Sequence, residues 1–215
     1  MTRRARRAAV LISGSGTNLQ AFIDRIQGGE LDIDLGVVLS NKPRAAGLER
    51  ARRANIAVEC IEHKHFPVRE EFDAALVATL DRYEPEIIIL AGFMRILTAV
   101  FIDHFAGKIF NIHPSLLPKY PGLNTHQRAI DAADEWHGST VHFATVELDG
   151  GPRVIQGRVQ LRPDDTADTL AARVLEIEHR IYPAAVALFA AGRLDYHDGC
   201  AWLDGVRLDE PLQFT

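Results

Sequence analysis

Phe110-Asn111-Ile112-His113-Pro114-Ser115-Leu116-Leu117-Pro118 is the stretch around which the chain is organised. Lys108-Ile109-Phe110 reads as the end of a buried strand. Side chains two apart on a strand point to the same face, so the Asn111 carboxamide and the His113 imidazole project together. Pro114 cannot donate a ladder hydrogen bond. It ends the strand after His113 and releases the chain into a loop with a second stop at Pro118. In open α/β sheets, ligands bind at the carboxyl ends of strands. An amide beside an imidazole there can hold a carbonyl oxygen and handle a proton. The same two residues would equally suit a capped turn, where Asn and His are common.

Working outward, the fold class follows from alternation. Ala8–Ser13 is a continuous apolar run, as in a parallel strand buried on both faces. Leu35–Ser40, Ala57–Ile61, Glu86–Gly92 and Lys108–Ile112 read as further strands. Helical stretches stand between them: Leu19 to about Gln27, Ala45–Ala54, Arg69–Tyr83, and a short one to His104 that Thr98 would cap. This order predicts a parallel sheet. Thr125 would cap a helix over His126–Ala133. Ser139–Glu147 alternates, and Val154–Leu161 follows across a short glycine-rich loop, which predicts an antiparallel addition. The expected sheet is therefore mixed and mostly parallel, Rossmann-like, with flanking helices. Asp164-Asp165-Thr166 should open a long helix over Ala167–Ala191, kinked near Tyr182 by Pro183. Leu194–Trp202 reads as a small hairpin turning at Asp198-Gly199.

Bulk properties narrow the function. The chain has 215 residues, 47% hydrophobic and 25% charged, with a net charge of -5. That length suits one domain, 1–215, with residues 1–7 as a basic disordered tail. The acidic balance argues against a general nucleic-acid surface. Two cysteines, Cys60 and Cys200, make neither a disulfide framework nor a cysteine metal site, which fits a reducing cytoplasm. No apolar run approaches the ~20 residues that cross a bilayer. The histidines form no recognised ligand spacing, so no metal is expected.

Two further features bear on chemistry. Gly14-Ser15-Gly16-Thr17-Asn18 joins the first strand to a helix. Such a loop can aim backbone N–H groups at a phosphate beside a helix N-terminus, though it equally suits a tight turn. Asp149 stands in the loop Leu148-Asp149-Gly150-Gly151-Pro152. A carboxylate near an imidazole favours the charged ring. With Asn111 as an oxyanion donor, this is equipment for acyl-type transfer to a nucleophile supplied by the substrate. Ser115 lacks a nucleophile elbow, and Cys60 lacks a cysteine-protease signature.

Taken together, Gly14–Asn18, Ala91–Leu97, Asn111–Pro118, Lys119–Gly122 and Glu147–Pro152 resemble the glycinamide ribonucleotide transformylase family, also called phosphoribosylglycinamide formyltransferases. The resemblance extends to Ala201–Gly205. It implies the formyltransferase fold and catalysis by Asn111, His113 and Asp149. It also implies a reaction: a formyl group moves from 10-formyltetrahydrofolate, a co-substrate, to the amine of glycinamide ribonucleotide. Gly16, Thr17, Asn18 and Glu178 would hold the ribonucleotide. Arg69, Met94, Arg95, Ile96, Leu97 and Asn111 would hold the folate. On local grounds Glu178 reads equally as a solvent-facing helix charge, and Arg69 as a surface arginine. Asn124 stands where some relatives carry His. Partners are then small molecules, not nucleic acid or membrane, in a cytoplasmic monomer or homodimer. A formyltetrahydrofolate hydrolase is the alternative, but that family carries an extra N-terminal domain and no room precedes Ala8. Methionyl-tRNA formyltransferases add a C-terminal RNA-binding domain, whereas this chain stops soon after Trp202.

Overall fold

The computed structural model describes residues 4–214. The chain divides into two compact units, with the boundary between Phe110 and Asn111. It is an α/β protein whose sheet pairings are mostly parallel, with helices as connections.

In the first unit, β1 (Arg6–Ile12) pairs in parallel with β2 (Ile33–Ser40) and with β4 (Ile87–Leu90). β2 pairs in parallel with β3 (Ala57–Cys60), giving the order β4-β1-β2-β3. The reason is visible in composition. Ala8–Ile12 and Ile87–Ile89 are wholly buried, so neither face of these strands meets water. Helices α1 (Thr17–Gln27), α2 (Ala46–Arg53), α3 (Arg69–Asp81) and α4 (Ala99–His104) make the crossovers.

In the second unit the order is β5-β6-β7-β11: Ile109–His113, Trp136–Phe143, Arg153–Gln160 and Leu212–Phe214. β6 and β7 are antiparallel, as the short loop between them requires, and β11 joins β7 in parallel. Helix α5 (Thr125–Asp131) precedes β6, and α6 (Ala167–Ala190) follows β7. Helix α6 lies tight against the sheet. A Cβ on Gly157 would stand 2.1 Å from Ile177 Cγ2, so only glycine fits there. Strands β8 (Leu194–His197), β9 (Cys200–Leu203) and β10 (Val206–Arg207) form a separate antiparallel sheet, the first two as the expected hairpin.

Four local expectations need correction. Arg6 and Arg7 belong to β1 and not to a tail. Arg7 is drawn in by acids, its N–H on Glu86 Oε2 at 3.2 Å and its Nε on Asp34 Oδ2 at 3.1 Å; residues 1–3 lie outside the described residues. Thr98 is the N-cap of α4 but makes no side-chain cap bond; its N–H donates to buried Asp73. Thr125 is the first residue of α5, and the N-cap is Asn124 at φ 57°. Strand β6 runs from Trp136 and stops at Phe143, leaving Ala144–Glu147 in the loop. Helix α6 opens on a Thr166 capping box and continues through Pro183 to Ala190.

Candidate active site

Strand β5 delivers Asn111 and His113 to one place in the second unit, as their spacing of two requires. The His113 side chain is nearly buried, and both ring nitrogens face acceptors. Nε2 lies 2.8 Å from the carbonyl oxygen of Tyr120. A carbonyl can only accept, so Nε2 carries a proton. Nδ1 lies 3.4 Å from Asp149 Oδ2. That separation is longer than a full hydrogen bond, so the carboxylate faces the ring without closing on it.

Asp149 reaches this position from the β6–β7 loop at φ 54°. The Gly122 N–H donates to its Oδ2 at 2.9 Å. Gly151 closes the loop: a Cβ there would stand 1.9 Å from the Phe143 carbonyl oxygen. The Asp149 side chain is only 6% exposed, so its charge is felt strongly by its neighbours.

His142, on β6, completes the group. Its Nδ1 lies 2.9 Å from the Phe143 carbonyl and is therefore the protonated nitrogen. Burial pushes its pKa down to about 4, so the ring is neutral near pH 7. Its Nε2 then accepts from Asn111 Nδ2 at 3.1 Å. For the same reason its 3.9 Å separation from Asp149 Oδ1 is no ion pair. One N–H of the Asn111 amide is thus engaged, the carboxamide orientation is fixed, and the second N–H remains for a ligand.

The floor of the site is a hydrogen-bonded brace. Ser139 Oγ shares its proton between the His113 carbonyl at 2.8 Å and Glu178 Oε1 at 3.0 Å. Glu178 is buried, which removes the reading of a solvent-facing helix charge. Thr140 Oγ1 donates to the Ser115 carbonyl and accepts from Leu117 N–H and Gln156 Nε2. Ser115 Oγ donates to the Lys119 carbonyl, so Ser115 is a structural hydroxyl. His126 and His137, 3.0 Å apart, are both kept from protonating chiefly by burial, His137 down to about 4. Among the described residues no three His, Cys, Asp or Glu side chains converge as a metal-binding group.

The other sequence-predicted residues lie in the first unit. Gly16, at φ 71°, is the N-cap of α1 and, as a glycine, supplies no side-chain cap. The loop is held from below by α2. Gly47 N–H donates to the Gly14 carbonyl at 3.1 Å, and Arg50 Nε donates to the Ser15 carbonyl at 2.8 Å. Gly16 approaches Gly47 so closely that a Cβ would lie 2.6 Å from its Cα. With its carbonyls turned to α2, the loop is open to an anion at the N–H groups. Asn18 is buried beside it. Met94 and Ile96 are well exposed for apolar side chains, whereas Leu97 is buried. That loop is anchored at its start by the Met94 N–H on Ser13 Oγ and at its end by Thr98 on Asp73. Arg69 opens α3 and is exposed.

Residues 6–186 match the sequence profile described as Formyl transferase, most of the chain's length. The chain belongs to the formyl transferase family. Within that family its relatives are specific. It is 51% identical to the phosphoribosylglycinamide formyltransferase of Escherichia coli (strain K12), over 93% of this chain and 94% of that one. The phosphoribosylglycinamide formyltransferase of Coxiella burnetii superposes with a TM-score of 0.94 at 48% identity, covering 98% of this chain and 100% of that one. A formyltetrahydrofolate deformylase from Pseudomonas syringae also superposes, at TM-score 0.86, over 93% of this chain and 66% of that one. At 22% identity it shares the fold alone. This formyl transferase therefore stands with the phosphoribosylglycinamide formyltransferases on both sequence and structure.

Sequence reasoning missed three of this formyl transferase's site groups. His142 shares its strand with a second imidazole, His137, and its partner is 31 positions away, so nothing local singles it out. The Tyr120 carbonyl and the Gly122 N–H are backbone groups, and no residue identity announces them.

Proposed function

We propose that this chain is a single formyltransferase domain that moves the formyl group of 10-formyltetrahydrofolate to the amine of glycinamide ribonucleotide, a step of purine synthesis. The observation that carries the reading is the arrangement of His113 between the Tyr120 carbonyl and Asp149, beside an Asn111 with one N–H to spare.

The neutral amine attacks the formyl carbon. A carbon–nitrogen bond forms and the carbonyl electrons move to oxygen. The second Asn111 N–H and the His113 Nδ1–H stabilise that oxyanion, in a site where burial strengthens both. Asp149, held by Gly122, balances the His113 charge. It also positions a water that carries the proton lost by the amine to the departing folate nitrogen. The carbonyl reforms as the carbon–nitrogen bond to the folate breaks. Protons and electrons balance without a metal or a covalent enzyme intermediate.

Gly16, Thr17 and Asn18 are proposed to hold the ribonucleotide, its phosphate on the loop N–H groups, with Glu178 at the ribose. Arg69, Met94, Arg95, Ile96, Leu97 and Asn111 are proposed to hold the folate. The exposed Met94 and Ile96 side chains then gain a purpose as apolar cover for the pterin. The protein is taken to act in the cytoplasm, as a monomer or homodimer.

One assay tests this. Protein is mixed with 10-formyltetrahydrofolate, with and without glycinamide ribonucleotide, and tetrahydrofolate release is followed. Release only with the ribonucleotide is expected. Release at the same rate without it would mean hydrolysis, and no release with either would mean a binding protein.

A further inference from the structure

We propose that Arg128 is a positioning residue for Asp149 and His113, acting through the backbone of the turn before α5. The inference rests on the transfer reading above for its kinetic consequence. Its structural part stands alone.

The turn is conformationally demanding. Tyr120, Gly122 and Asn124 all have positive φ, at 56°, 81° and 57°. The left-handed region is unfavourable for a bulky residue such as tyrosine, so the turn needs outside restraint. Two restraints are present. At one end Lys119 Nζ and the Tyr120 hydroxyl both engage Asp134, each at 2.8 Å. At the other end stands Arg128. Its Nη1 donates to the Pro121 carbonyl at 2.7 Å and lies 3.4 Å from the Leu123 carbonyl. Its guanidinium also sits over the Tyr120 ring, 5.0 Å from the centroid.

The Pro121 carbonyl and the Gly122 N–H belong to one peptide unit. That unit is planar, and in a trans peptide the oxygen and the hydrogen point in opposite directions. Fixing the oxygen on Arg128 therefore aims the hydrogen at Asp149 Oδ2, where it is found. A charged donor on the oxygen also polarises the N–H on the far side. One residue earlier, the Tyr120 carbonyl receives the His113 Nε2 proton, and the ring of that same tyrosine is under the guanidinium. Arg128 thus governs both backbone groups that orient the pair, without touching either side chain.

The test compares Arg128→Ala and Arg128→Lys with the parent protein. Exchange of the Gly122 amide proton is followed by NMR, and turnover is measured with both substrates. In Arg128→Ala the Gly122 amide should exchange at least tenfold faster while the protein stays folded. Its kcat should fall roughly tenfold, with both KM values within twofold, since misplaced catalytic groups cost turnover rather than binding. Arg128→Lys keeps a charged donor for the Pro121 carbonyl and should recover most of both effects. In a His113→Ala/Asp149→Ala background, measured by single turnover, Arg128→Ala should cost less than twofold more, because both groups it positions are gone. An unchanged Gly122 exchange rate overturns the proposal whatever the reaction proves to be. So does an equal loss of single-turnover rate in the His113→Ala/Asp149→Ala background, which would mark a general structural role. Failure of the parent protein to release folate with the ribonucleotide breaks the transfer reading instead.

Discussion

Asn111 makes the sharpest claim at the scale of the single residue. One of its amide protons is spent on His142 Nε2, which fixes the direction of the other. Removing one oxyanion donor typically lowers kcat by ~10²–10³, so Asn111→Ala should lose at least that much in steady-state turnover. A variant with near-parental turnover would remove Asn111 from the mechanism. The pair of Asn111 and His113 was legible in the sequence, because strand periodicity is local and Pro114 marks where the strand stops. The orientation of the His113 ring was not legible. It follows from a backbone carbonyl seven residues on and a carboxylate from another loop, and only folding brings those together.

Elements decide how well those side chains are aimed. The β6–β7 loop that carries Asp149 is closed at Gly151, and a methyl group there would meet backbone, which cannot yield as a flexible side chain does. Gly151→Ala should displace Asp149. Since misplacement by about 1 Å can cost ~10² in rate, kcat should drop by roughly that factor while the far-UV spectrum is unchanged. Unaltered turnover would mean that the Asp149 loop need not be held. Element types and order up to the hairpin β8–β9 followed from the sequence through apolar runs and helical spacing, whereas β10 and β11, two and three residues long, are too short to show a period. The ends were less legible, because competition between partners sets them. Thr98 has the right side chain for a cap and stands at the N-cap, yet makes no side-chain cap bond; Thr125 lost the cap position to Asn124. Arg7 reads as a solvated charge, yet Asp34 engages its side chain and Glu86 its backbone N–H.

For the whole molecule, buried neutral histidines make stability depend on pH. His137 and His142 are lowered by burial from 6.5 to about 4, and His126 is lowered as well. Above pH 6.5 these rings are neutral in both folded and unfolded chains and contribute nothing to the dependence. As pH falls below 6.5 the unfolded chain takes up protons that the folded chain refuses. Stability should therefore decline from about pH 6.5 to about pH 4, and below that both states are charged and the loss is complete. For each such ring, every pH unit across that interval removes at most ~1.4 kcal/mol. Urea midpoints measured from pH 7.5 to 4.5 should show the decline. His137→Asn, which removes one such group, should flatten it, and an equally steep decline in that variant would mean that His137 is not held neutral.

The amino-acid sequence on its own determined the alternation of strand and helix, the antiparallel pairing across the glycine-rich loop, and the chemical identity of the groups proposed for catalysis. Those depend on interactions between near neighbours and on side-chain chemistry, both written residue by residue. The tertiary structure alone decided that His126, His137 and His142 resist protonation, that Glu178 is buried against Ser139, and that the Pro121–Gly122 peptide is gripped between Arg128 and Asp149. Charge states and hydrogen-bond directions depend on burial and on partners distant along the chain, and these exist only once the chain has folded.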